Sequence, residues 1–287
     1  MLRTTVEKQE VDFTEIKRRI QKSLSEKTLS NIKPFSAGPA ALVEIKKKPA
    51  KQVKRVKFGI PGFDNLISEG VPDNAIVLVA GASGSGKSIF CLQSLIFGAL
   101  NGEPGVYISF EEEPESIRQA ERNFGWDIDK LEKNKMLSII FKDPYEVENF
   151  AKTLAGELHY TLQELNAKRV VIDSVTYFAL TLRDKYLVRK ELDALAKRFK
   201  KLDILTFMIS EIPRESSSKK LSSQYGMEEF LADAVIHLHD FTVKRVIRQR
   251  AIEILKMRLT QHDRVLRPFV ISRTGIQVYP RAQVFNE

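Results

Sequence analysis

The chain has 287 residues, 43% of them hydrophobic and 29% charged, with a formal net charge of +9. That length accommodates one large α/β domain with an appendage, or two small domains. No apolar run reaches the length of a membrane span, the first residues lack the apolar centre of a signal peptide, and the lone cysteine, Cys91, excludes an internal disulfide, so the expectation is a cytoplasmic protein without membrane insertion.

The charge is unevenly placed. Residues 1–57 carry 15 Lys and Arg against 6 Asp and Glu, so the whole excess falls there and the remainder is balanced. This predicts a basic N-terminal arm and linker over 1–57, ahead of a main domain over 58–287. In the arm, Phe13, Ile16, Ile20 and Leu24 recur at three- and four-residue spacing, and Asp12 with Glu15 resembles a capping box, which predicts a short amphipathic helix over Asp12–Leu24. Such a helix docks on its own domain or on a neighbouring subunit, or it serves as an arm for a protein partner or single-stranded DNA. Pro34, Pro39 and Pro49, followed by a lysine-rich run, make Ser30–Lys57 read as a linker.

In the main domain, Ala75–Ala80 is an unbroken apolar run and reads as a buried parallel strand. The octet Gly81, Ala82, Ser83, Gly84, Ser85, Gly86, Lys87, Ser88 follows it and fits G-x-x-x-x-G-K-[ST]. The glycines let the backbone turn its N–H groups onto a polyphosphate, and a helix opening at Lys87 adds the positive end of its dipole. Lys87 then reaches the β- and γ-phosphates of ATP, and the Ser88 hydroxyl ligates Mg²⁺. Further strands are expected at Gly105–Phe110, Leu137–Phe141, Arg169–Asp173 and Ile204–Ser210. Helices are expected from Pro114 to Phe124, around Val147–Glu164 and over Leu187–Leu202. Strands alternating with helices predict a parallel sheet covered on both faces. Ala234–His239, Arg250–Met257, Val265–Ser272 and Gly275–Tyr279 follow with short connections, which predicts antiparallel additions at one edge.

Asp173 ends an apolar strand about eighty-five residues after the loop, the placement of an acid that organises Mg²⁺. Glu111, Glu112 and Glu113 follow the Gly105–Phe110 strand. If that strand neighbours the phosphate-loop strand, a carboxylate there orients and deprotonates water; otherwise the three acids merely suit a helix N-terminus.

The main domain resembles the KaiC branch of the RecA superfamily of ATPases. The likeness rests on Gly59-Ile-Pro-Gly-Phe-Asp64, the phosphate loop, Ser109-Phe-Glu-Glu-Glu-Pro114 and Val170-Val-Ile-Asp-Ser174. It extends through Ile209-Ser-Glu-Ile-Pro213, Glu228-Glu-Phe-Leu-Ala-Asp233, Lys256-Met-Arg258 and His262-Asp263. The resemblance implies a RecA-like P-loop fold with a mostly parallel central sheet and C-terminal antiparallel edge strands; the short N-terminal helical arm, read from its periodicity, has no counterpart in it. The resemblance also implies Mg²⁺-dependent ATP hydrolysis in a homo-oligomer, a hexameric ring being favoured, with ATP held between subunits. By position, Glu111 and Glu112 match paired catalytic glutamates, with Glu111 as general base, and Asp173 matches the Mg²⁺-linked aspartate. Ser210 and Glu211 fall where the family senses the γ-phosphate. Lys256 and Arg258 match basic residues projected into the neighbouring subunit's site, and His262 a residue near the ribose across that interface. Two other readings stand beside the ATPase: an ATP-regulated module that grips single-stranded DNA through the arm and the polar 214–225 loop, and a nucleotide-gated scaffold with weak turnover.

Overall fold

The computed structural model describes residues 53–143, 158–182, 184–212, 228–243 and 247–284. The expected Asp12–Leu24 helix, most of the Ser30–Lys57 linker, residues 144–157 and the 214–225 loop lie outside the described residues.

The sheet is built outward from β3 (Ile76–Gly81), whose six residues are all buried. Ile76 and Leu78 face one core, Val77 and Val79 the other. A strand covered on both faces has no solvent side, which is why its sequence shows no alternation. On one flank lie, in spatial order, β7 (Leu205–Glu211), β6 (Arg169–Asp173), β4 (Gly105–Ser109) and β5 (Leu137–Phe141), each parallel to its neighbour. On the other flank β8 (Ala234–Val243) is also parallel to β3. It is followed by β9 (Ile247–Met257), β10 (Arg267–Ser272) and β11 (Gly275–Val278), paired antiparallel. The expected mostly parallel sheet with antiparallel edge strands is therefore present, in nine strands.

One expectation is corrected. Two strands, β7 and β6, stand between β3 and β4, so the strand leading to Glu111 does not neighbour the phosphate-loop strand. Consecutive strands of a doubly wound sheet need not be adjacent, and the crossover lengths here carry no information on strand order.

The helix α1 (Lys87–Leu100) packs on the Val77 face, beside α2 (Pro114–Arg122) and α3 (Ile128–Lys133). The opposite face is covered by α4 (His159–Glu164), α5 (Val175–Leu182) and α6 (Lys185–Lys201). The short α7 (Glu228–Leu231) precedes β8. Neither α3 nor α5 was expected. The six-residue α3 is too short to show a period and is fixed by the Asp127 side chain accepting from Lys130 N at 3.1 Å. The α5 segment, Val-Thr-Tyr-Phe-Ala-Leu-Thr-Leu, is apolar nearly all round and has no amphipathic stripe to read.

The Gly59–Asp64 turn serves the core. Asp64 accepts from the backbone N–H of Phe58 at 2.9 Å and of Gly59 at 2.8 Å. That turn seats Phe58 and Phe63 edge-on to each other and sets both rings against Phe90 of α1. Arg55 and Val56, read from the sequence as linker, form a two-residue strand β1 against β2 (Val71–Pro72).

Candidate nucleotide site

The backbone of the phosphate loop requires glycine at Gly86, where φ is 102° and a Cβ would press within 3.0 Å of Ile271 Cδ1. The next residue begins α1, so the loop's N–H groups and the helix N-terminus face one space. That space is a cavity of about 520 Å³ at the carboxyl ends of β3, β7, β6 and β4. Ser83, Gly84, Gly86, Lys87 and Ser88 line one wall, and Glu111, Glu112, Asp173 and Glu211 face them.

Lys87 is buried, and its ammonium donates to Ala82 O at 3.1 Å and lies 3.6 Å from Glu211 Oε1. The cation is thus held across the loop mouth by groups that a phosphate replaces without leaving it unpaired. Ser88 Oγ donates to Asp173 Oδ2 at 2.8 Å, and the Tyr107 hydroxyl donates to the same oxygen. Burial pushes the Asp173 carboxyl up, while these two hydroxyls and the Lys87 ammonium pull it back down. The Tyr107 phenol is pushed well above its usual range by burial and by Asp173, so it is a donor.

Glu111 and Glu112 reach the cavity although β4 is not beside β3. Ser109 Oγ accepts from Glu112 N at 2.9 Å and turns the chain at the strand end. Ser174 Oγ, next to Asp173, donates to Glu111 Oε1 at 2.6 Å. Partial burial raises the Glu111 carboxyl above its ordinary value, opposed by the Ser174 hydroxyl and reinforced by the negative charges of Asp173 and Glu211. A carboxylate so raised is a stronger base than a free one.

The remaining expected residues do not converge here. Ser210 is fully buried, its hydroxyl 3.3 Å from Thr176 Oγ1 of α5, and it does not line the cavity; Glu211 and Ile209 hold that position. Lys256 turns into its own chain, donating to Glu229 O at 3.0 Å and Ala232 O at 2.6 Å at the end of α7. Burial lowers its ammonium, and the nearby Arg258 adds to the effect. The Arg258 side chain is 54% exposed and lies 3.7 Å from Asp233 Oδ1. It follows β9, whose Met257 pairs Ala234, and Ala234 is level with Val77 near the start of β3. The phosphate loop leaves β3 at Gly81, roughly 13 Å further along the strand, at the opposite end of the sheet. His262 forms a bridge with Ile67 and also lies away from the cavity.

Glu211, which the family resemblance marks with Ser210 as a γ-phosphate-sensing position, lines the cavity; Tyr107, Ser174, Asn123 and Phe124 line it without having been singled out as site residues from the sequence. Ser174 had a local signal, being adjacent to Asp173. Phe124, stacked on Trp126 with ring centroids 5.0 Å apart, sits in the aromatic pair after α2. Tyr107 had none, because a tyrosine in an apolar strand reads as core.

Among the described residues no group of three or more His, Cys, Asp or Glu forms a metal cage. The donor set at Ser88 and Asp173 fits instead a hard cation that takes most of its oxygens from phosphate and water, as Mg²⁺ does.

The sequence pattern of the KaiC ATPase family matches residues 56–283. The chain belongs to the KaiC family of ATPases. It is 36% identical over 248 residues to the circadian clock oscillator protein KaiC of Parathermosynechococcus lividus, covering 84% of this chain and 44% of that protein. It is 33% identical over 240 residues to the circadian clock protein KaiC3 of a Synechocystis strain, covering 81% of this chain and 47% of that protein. The chain thus spans under half the length of these curated relatives and carries a single KaiC domain. The crystal structure of a KaiC-like protein from Pyrococcus horikoshii OT3 superposes with a TM-score of 0.71 at 38% identity, over 79% of this chain and all of that one. The fold is therefore the RecA-type α/β fold of KaiC, and the family is one of nucleotide-binding ATPase domains. No helix among the described residues is long and apolar enough to cross a membrane.

Proposed function

We propose that this KaiC-family chain is a Mg²⁺-dependent ATPase that works as a homo-oligomer with ATP shared between subunits. The observation that carries the reading is the convergence, on one cavity, of Lys87, the Ser88–Asp173 pair and a glutamate oriented by Ser174. Lys87 and the loop N–H groups bind the β- and γ-phosphates. Ser88 and Asp173 hold Mg²⁺, which when bound neutralises charge on the phosphates. Glu111 takes the proton of the attacking water, and Ser174 keeps its carboxylate aimed at that water. Phe124 offers a flat apolar surface for the adenine. His262 belongs, on this reading, beside the ribose of a neighbour's nucleotide.

Glu111→Gln removes a base and leaves the phosphate contacts, so ATP binding persists while turnover drops by roughly 10²–10⁴-fold. Lys87→Ala loses tight ATP binding instead. Equilibrium binding and phosphate release, measured on both variants, check the reading. Unchanged hydrolysis in the glutamine variant overturns it.

Reach supports the oligomer in this reading. Arg258 stands at the far end of the sheet from its own phosphate loop, half-exposed, a placement that supports a role in a neighbour's site. Contacts of this head-to-tail kind close into rings when the rotation permits, the hexamer being the form we favour. The basic N-terminal arm is left for a protein or single-stranded DNA partner.

A further inference from the structure

Tyr107 is placed where an apolar residue of the same shape would pack as well. All five residues of β4 are buried, and the Tyr107 ring lies within the α1-side core cluster at 2% exposure. A phenylalanine fills that volume without bringing a hydroxyl into the interior, and a buried hydroxyl is costly unless it is paired. Its partner is Asp173. The parallel β4–β6 register sets Tyr107 level with Val171 and Ser109 level with Asp173, so ring and carboxylate lie on one face of the sheet as diagonal neighbours.

We propose that Tyr107 is a positioning residue for the metal centre: its phenol fixes the Asp173 carboxylate in the orientation that receives Mg²⁺. The inference rests on the Mg²⁺–ATP reading above. The terminal torsion of an aspartate is broad, so one hydrogen bond does not set the plane of its carboxylate. Asp173 has two donors on Oδ2, one from each side of the site: Ser88 Oγ from the first turn of α1, and Tyr107 from β4. Together they anchor Oδ2 and leave Oδ1 to accept from water on the ion. The two donors differ in what they do next. Ser88 has its own task, offering an oxygen lone pair to the ion while its proton stays on Asp173. Tyr107, fully interior and held by its ring, has no task except to stay. Without it, Asp173 keeps one anchor, and that anchor moves with the phosphate-loop helix. Loss of such an outer hydrogen bond typically costs 10–100-fold in metal affinity. An ion that keeps most of its waters belongs at the low end of that range, about tenfold.

The test is Tyr107→Phe, which keeps the ring and removes one oxygen. Binding of a fluorescent ATP analogue is followed by anisotropy, first in EDTA and then across a MgCl₂ titration, in wild type, Tyr107→Phe, Asp173→Asn and the double variant. The expected result is EDTA binding unchanged in Tyr107→Phe, with the Mg²⁺ concentration for half-maximal enhancement raised about tenfold. Most of that increment should vanish in the Asp173→Asn background, because the phenol acts chiefly through that carboxylate. A Mg²⁺ midpoint within twofold of wild type overturns the proposal. So does lost binding in EDTA or a variant that fails to fold, since either makes the hydroxyl part of the fold. If wild-type binding gains nothing from Mg²⁺, the metal reading of the site falls and this proposal with it. If wild type responds and Tyr107→Phe responds equally, the proposal alone falls.

Discussion

Residues on β8 show what the interior of this domain costs in acid. His237 is level with Ala80 on one side and Glu253 on the other, and its ring lies against that of His239, tilted by 36° with centroids 3.9 Å apart. Its Nδ1 has no hydrogen-bond partner. His239 Nε2 in turn lies 3.2 Å from Glu253 Oε2. Burial, and then the neighbouring His239, lower the His237 imidazole from 6.5 to about 3. Burial lowers His239 as well, with Glu253 opposing. An unfolded chain takes up a proton at His237 near pH 6.5, while the folded protein refuses it until about 3. The stability this represents is complete above about pH 6.5 and is lost as pH falls towards 3. One such group accounts for about 1.4 kcal/mol between pH 7.5 and 5.5. Urea unfolding of wild type and His237→Phe at those two pH values should show the variant losing less stability by about that amount. Equal losses would mean that the imidazole is protonated in the folded state. Nothing in the local sequence marks this pair: His237-Leu-His239 alternates like any strand, and only the β3–β8 register reveals that both rings face inward. The same holds for Tyr107. The phosphate loop and Asp173, by contrast, were legible because their chemistry needs a fixed local context, a strand followed by a turn, that the sequence itself displays.

At the scale of elements, the start of β6 is pinned by Arg169, the largest fully buried side chain in the protein's described part. Its guanidinium bonds Glu103 at 2.6 Å beyond the end of α1, Ser94 O at 2.9 Å within α1, and Lys57 O at 2.9 Å on the entering chain. It also lies over the Phe97 ring at 5.6 Å. A side chain at Gly98 would collide with its stem, which explains a glycine in the last turn of a helix. Burial lowers the Arg169 guanidinium, and Glu103 and Asp64 hold it charged. Arg169→Ala leaves Glu103 and two backbone carbonyls without their donor, and should cost about 3–5 kcal/mol in urea unfolding. Arg169→Lys should recover little, because one ammonium cannot serve three directions. Nucleotide binding, measured where the variant is folded, should persist, since the phosphate loop opens the opposite end of α1. A variant as stable as wild type would show that these bonds are replaced by water. The sequence showed the strands themselves well: Leu137–Phe141 and Arg169–Asp173 fall where their apolar runs predicted. Strand order was illegible, because it is decided by which helix covers which face, and the interposition of β7 and β6 between β3 and β4 leaves no local trace.

For the whole molecule the question is which basic residue would serve a neighbouring site under the proposed shared-site reading, and the two candidates are physically unlike. Lys256 is committed to the carbonyls of Glu229 and Ala232, and withdrawing it would orphan them. Arg258 has an exposed head and one long contact, 3.7 Å, to an Asp233 carboxylate that Lys200 and the Ile76 N–H already satisfy. Such a contact is worth little and is released at little cost. On the proposed shared-site reading, Arg258 is the residue with the freedom to enter a partner's cavity, where a guanidinium that spreads charge over the transferring phosphoryl group would contribute about 10³–10⁵ in turnover. Arg258→Ala should bind ATP through its own intact phosphate loop and hydrolyse it poorly. Lys87→Ala has a dead cavity and an intact arginine. Subunits of the two variants, mixed under conditions where exchange is verified by native mass, place some intact Lys87 cavities opposite intact Arg258 side chains. Those interfaces contain every group of a complete site, so phosphate release by the mixture should exceed that of either parent. Lys256→Ala mixed with Lys87→Ala should show no comparable gain, because Lys256→Ala is expected to lose stability rather than a contact across the interface. Verified exchange without any gain from the Arg258→Ala mixture would remove the arginine from the neighbour's site, and with it the physical argument for the proposed site shared between subunits.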